Sequence, residues 1–224
     1  MAINLQKGQT INLRKNERGD SIYDLSSVTI GLGWDVRRQG SFLRRLLNGS
    51  HEPEYDLDAV AFLLDKNGKV ADMGKTRPAA NGREVVLYQS DVIYFNSMRH
   101  LSGNIWLTGD NRTGAGDGDD EQIIVKLDQL DERYQKIVFV VSIYQGNIRR
   151  QHFGMIENAF IRAVDAKGKE ITRFSLSGDA GMNGMCSMVF AEAYRHNRDW
   201  KFRAIGEPHR TDNFIDVLVP YTYR

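Results

Sequence analysis

Cysteine, net charge and long apolar runs are all nearly missing from this 224-residue chain, and each absence closes a class of function. Cys186 is the only cysteine, which excludes an intramolecular disulfide and agrees with a reducing compartment. It lies in the apolar run MCSMVF (residues 185–190), so it reads as a small buried hydrophobe rather than a nucleophile paired with His196. Thirty basic residues against twenty-nine acidic ones leave a formal charge of +1, so no global field argues for a nucleic-acid partner. No stretch of 18 apolar residues occurs, and the start, MAINLQKGQTINL, lacks the apolar core of a signal peptide. A soluble cytoplasmic protein is expected. Catalytic signatures are missing too: there is no Gly-x-Ser-x-Gly elbow and no His-Glu-x-x-His helix. His51, His100, His152, His196 and His209 are scattered, with no spacing suited to zinc.

What is present is a succession of short apolar segments with the period of a strand. Ile3, Leu5, Ile11 and Leu13 flank Lys7-Gly8-Gln9 as a hairpin signal. Val28, Ile30, Leu32 and Trp34 alternate along a strand interrupted by Gly31 and Gly33, glycines expected where another backbone comes close. Residues 56–65, 84–95, 105–107, 123–127, 137–144, 171–176, 185–194 and 200–205 read as further strands, and 127–134 as one helical turn. The pattern breaks at residues 37–55, where Ser41 as N-cap, Gly49 after the end, and Leu43, Leu46 and Leu47 between them predict a short helix. Arg37, Arg38, Arg44 and Arg45 make that insertion basic, which suits either a solvated surface or a docking patch for an anionic partner or lipid.

The chain also resembles itself. AVAFLLDKNGK (residues 59–69) can be laid on AFIRAVDAKGK (residues 159–169), implying two similar halves at about 1–134 and 135–224. No long amphipathic helix separates the strands. The expectation is therefore an all-β fold: one domain, a two-sheet β-sandwich built from two similar halves, with a short helical insertion.

The densest chemistry lies in GDNRTGAGDGDDE (residues 109–121), with five carboxylates, four glycines and only Arg112 to offset them. Like charges crowded on a tight turn favour a bound cation, and oxygen ligands on a glycine-rich loop suit Ca²⁺. An EF-hand does not fit, because counting from Asp117 puts Gln122 where the glycine should stand; nor does a P-loop, which needs Gly-Lys-Ser/Thr. On a strand Asp56 and Asp58 share a face with Val60, Phe62 and Leu64, two carboxylates at the mouth of an apolar surface. With Asp35 at the end of its own strand, they are the natural partners of the loop. The bend at residues 178–184 carries only Asp179 and Asn183, so the second half lacks an equivalent.

These residues together resemble a known family. GLGWD (31–35), DLDA (56–59) followed by FLLD (62–65), the acidic loop, and YRHNRDWKF (194–202) are similar to the TerD family of tellurium-resistance and stress-response proteins, from the N-terminus to about Gly206. The resemblance implies a cytoplasmic bacterial β-sandwich that binds calcium, with no established catalysis, and the number of charges gathered in one place leads to the expectation of more than one ion. The resemblance places the metal positions on Asp35, Asp56, Asp58, Asp110, Asn111, Asp117, Asp119, Asp120 and Glu121. Expected partners are other tellurium-resistance proteins or a membrane-associated complex. Two alternatives remain: a Ca²⁺-dependent phospholipid-binding module, whose loop tip (112–115) offers no large apolar residue, and a metal-dependent hydrolase, for which no base is nominated. The long basic insertion and the tail from Glu207 depart from the expected family pattern.

Overall fold

A computed structural model describes residues 2–16, 18–36, 55–78, 85–108, 119–176 and 180–223. The expected helix at 41–49 and its arginines lie outside the described residues. The first half contributes β1 (Ile3–Leu5), β2 (Thr10–Asn12), β3 (Val28–Val36), β4 (Leu57–Leu64), β5 (Lys75–Pro78), β6 (Val85–Tyr88), β7 (Val92–Ile93), β8 (Ile105–Leu107) and β9 (Glu121–Val125). The second contributes β10 (Lys136–Ile143), β11 (Ile156–Val164), β12 (Glu170–Leu176), β13 (Ser187–His196) and β14 (Asp199–His209), with short helices α1 (Gly146–Arg149) and α2 (Phe214–Leu218).

Among the described residues these strands form two six-stranded sheets, β1-β12-β11-β3-β9-β8 and β2-β14-β13-β10-β4-β7, and a separate ribbon of β5 and β6. Alternation decides what lies between the sheets. Val28, Ile30, Leu32 and Trp34 of β3 meet Leu57, Ala59, Ala61 and Leu63 of β4 and Ile137, Phe139, Val141 and Ile143 of β10 in one core. The other faces of β4 and β10 are buried too: Val60, Phe62, Leu64, Val138 and Val140 pack beneath Phe214, Val217 and Leu218 of α2. That second layer explains why both segments are apolar on both faces, as in a strand covered from two sides.

Each sheet joins the two halves through an interior strand pair. In one, β11 pairs antiparallel with β3; in the other, β4 pairs antiparallel with β10. The two related turns are built alike. Asp65 Oδ1 accepts the Asn67 and Lys69 amides, Asp165 Oδ1 accepts those of Lys167 and Lys169, and Gly68 and Gly168 both take positive φ.

Three local expectations are corrected. Residues 3–13 are not a hairpin: β1 pairs parallel with β12 and β2 antiparallel with β14, so the turn at Gly8 carries the chain from one sheet to the other. Residues 84–95 are not one strand, because Gln89 takes φ +55° and the chain breaks at Ser90 and Asp91 between β6 and β7. Trp34 and Trp200 are core, but Trp106 is half-buried, with the Arg99 guanidinium 5.1 Å from its ring centre.

Candidate metal centre

The acidic loop returns to the sandwich at Asp119, and three neighbouring strands hold it there. Arg162 of β11, Gly31 of β3 and Gln122 of β9 are cross-strand partners in one row. The Asp119 carboxylate lies over Gly31, accepting from Arg162 Nε at 2.7 Å and from Gln122 Nε2 at 3.2 Å. A Cβ on residue 31 would overlap that carboxylate, which is why a glycine sits mid-strand. The sequence predicted a close approach at Gly31, but what approaches is a side chain rather than a backbone. Arg162 also donates to Glu170 at 2.9 Å, and the two carboxylates keep its guanidinium firmly protonated.

The next two residues turn inward. The Asp120 amide donates to the Leu32 carbonyl at 2.7 Å, and its carboxylate accepts the Trp34 amide at 2.9 Å. Burial pushes the Asp120 carboxyl above its ordinary pKa; the Trp34 N–H opposes this, and the charges of Asp35 and Asp119 reinforce it. Glu121, fully buried at the start of β9, accepts the Ala59 amide of β4 and so ties the two sheets together. Asp35 is exposed at the end of β3, where Asn158 Nδ2 donates to it at 2.8 Å. Asn158 holds φ +53° within the irregular stretch where β11 shifts register against β3.

On the opposite sheet, Asp56 is buried just before β4, and its carbonyl accepts the Tyr144 amide at 2.8 Å. Asp58 is half-buried on the face it shares with Val60 and Phe62, opposite Ser142 of β10. That face turns toward the layer under α2, away from the core between the sheets, whereas Glu121 bonds to the backbone of the next residue. The structure thus brings Asp35, Asp119 and Asp120 together and sets Glu121 against β4, with Asp56 and Asp58 at the same end of the sandwich. Asp110, Asn111 and Asp117 lie outside the described residues. Among the described residues, no group of three or more His, Cys, Asp or Glu side chains forms a ready metal cage. The donors nevertheless fit a hard cation: they are carboxylate oxygens, and burial, with the charges of Asp35 and Asp119 added to it, disfavours the charged form of Asp120.

Sequence reasoning missed Arg162, Gln122 and the amides of Trp34 and Ala59. Only Gly31 signalled them. His100, one of the scattered histidines, is structural: its ring bridges Asp91 at 3.0 Å and Ser102 at 2.8 Å, beside the Tyr134 hydroxyl.

A TerD domain model matches residues 1–76 and 79–218. The chain belongs to the TerD family. The match passes Gly206, so most of the tail is part of the TerD domain, contrary to the shorter extent read from the motifs. The tellurium resistance protein TerX of Serratia marcescens is 55% identical over 99% of this chain and 100% of its own length. The stress response protein SCP2 of Bacillus subtilis is 40% identical, again over 99% of this chain and all of its own. A solved homologue of the telluride resistance protein TerD from Streptomyces coelicolor shares the fold, with a TM-score of 0.56 at 20% identity over 85% of this chain and 94% of that one. This TerD protein is therefore placed among tellurium-resistance and stress-response proteins. Among its described residues, no helix is long and apolar enough to cross a membrane.

Proposed function

We propose that this TerD protein is a calcium-binding, non-enzymatic stress-response module of the bacterial cytoplasm, acting through Ca²⁺-dependent contacts with other tellurium-resistance proteins or a membrane-associated complex. The observation that carries the reading is the crowding of Asp35, Asp119 and Asp120 where the acidic loop rejoins the sheet, with charge repulsion adding to burial at Asp120. A divalent cation relieves that repulsion. In this reading the carboxylates of the loop, with Asp110, Asn111 and Asp117, close over the ion, and Asp56 and Asp58 approach from β4. The ion supplies charge neutralisation and a fixed loop conformation. Arg162 and Gly31 set where Asp119 stands, and Glu121 keeps the two sheets in register beneath it.

A ligand that binds only the folded chain stabilises it by about 2.7 kcal/mol at a hundredfold excess over its dissociation constant. Calcium is therefore expected to raise the melting temperature of the native chain, and Asp119→Asn with Asp120→Asn to abolish that rise. Because Asp119 also pairs with Arg162, Asp110→Asn with Asp117→Asn provides a second variant that leaves this pair intact. An undiminished calcium response in both variants would refute the site.

A further inference from the structure

The acidic end of the sandwich also carries an apolar tip flanked by arginines. β10 ends at Ile143, opposite Leu57 at the start of β4, and the chain then runs through Tyr144 into α1. β7 runs antiparallel to β4, so the turn that follows it, with Phe95 at its crest, reaches the same end. Phe95 and Tyr144 meet edge to face with ring centres 6.5 Å apart, and the Arg149 guanidinium lies 5.2 Å from the Tyr144 ring centre. Ile148 protrudes beyond them, 79% exposed. Arg149 and Arg150 are exposed beside it, and among the described residues neither makes an ion pair.

Covering an aliphatic side chain that stands so far in water gains free energy. Here the cover must accept an apolar tip, two interface-seeking aromatic rings and two adjacent cations on one projection. An anionic lipid surface meets all these demands: acyl chains take the aliphatic group, the headgroup zone takes the rings, and phosphates and carboxylates take the guanidiniums. We infer that Phe95, Tyr144, Ile148, Arg149 and Arg150 form a docking surface for anionic phospholipid. The acidic loop lacks an apolar residue at its own tip; α1, from the other half of the chain, supplies one. The inference uses only this patch and does not require the calcium reading.

The test is co-sedimentation of the full chain with vesicles of phosphatidylcholine containing phosphatidylserine, and with phosphatidylcholine alone, each in Ca²⁺ and in EDTA. The protein should pellet with the anionic vesicles and not with the neutral ones. Ile148→Ser should weaken partitioning on the order of tenfold. Arg149→Gln and Arg150→Gln should each weaken it about fivefold. These side chains are exposed, so the melting temperature of each variant should stay at the native value, and its calcium response, measured on the same samples, scores the metal site separately. Equal pelleting with neutral vesicles, or variants that bind like the native chain, would overturn the docking surface. Failure to pellet with either vesicle would also overturn it and leave the patch to a protein partner.

Discussion

At the scale of single residues, neighbouring carboxylates of the acidic loop have opposite relations to their surroundings. Asp119 is neutralised by Arg162 and laid over a glycine, whereas Asp120 is buried with two more carboxylates close enough to raise its pKa. A carboxyl whose folded pKa lies above its unfolded value weakens the fold at neutral pH, where both states are ionised. The penalty is relieved as pH falls through the folded value toward the unfolded one near 3.8. Asp120→Asn removes the charge and keeps an acceptor for the Trp34 amide. Without calcium, that variant should melt higher than the native chain at neutral pH, with the gap closing in acid. A variant that melts lower at neutral pH would contradict the account of Asp120. None of this was legible beyond Gly31, because Arg162 lies 43 residues from the carboxylate it holds.

At the scale of elements, alternation identified β3 and its buried face, since period two is written into Val28, Ile30, Leu32 and Trp34, while β4 and β10 were legible as short, continuous apolar runs. It did not say which sheet a strand joins. β1 and β2 carry the same local signal whether they pair with each other or with β12 and β14, and long-range packing made the choice. Nor did it show that Asp58 leaves β4 on the face turned toward α2 while Glu121 reaches the β4 backbone from the other sheet. Glu121 is the tie between β9 and β4 at the edge where the sheets close, and its removal strands the Ala59 amide. Glu121→Ala should lower stability by about 1–3 kcal/mol, read as a reduced urea midpoint, with Glu121→Gln costing less because it can still accept. Equal midpoints for the native chain and Glu121→Ala would show that the sheets need no such tie.

At the scale of the whole molecule, the internal resemblance seen in the sequence takes an interlocked form. Each sheet contains an interior pair drawn from both halves, β11 with β3 and β4 with β10. Residues 1–134 and 135–224 expressed apart should each be unfolded by circular dichroism and recover a sandwich only when combined; a folded isolated half would contradict the topology. Interlocking also bears on the site, because Asp119 is held by Arg162 of the other half and Glu121 borders β4 while Asp56 borders β10. An ion at this end would stiffen the whole sandwich rather than one loop. Isothermal titration calorimetry of the metal-free chain with Ca²⁺, and in parallel with Mg²⁺, tests this most directly. The account predicts saturable Ca²⁺ binding, tighter than Mg²⁺ and lost in Asp110→Asn with Asp117→Asn; no calcium heat, or heat unchanged in that variant, would contradict it.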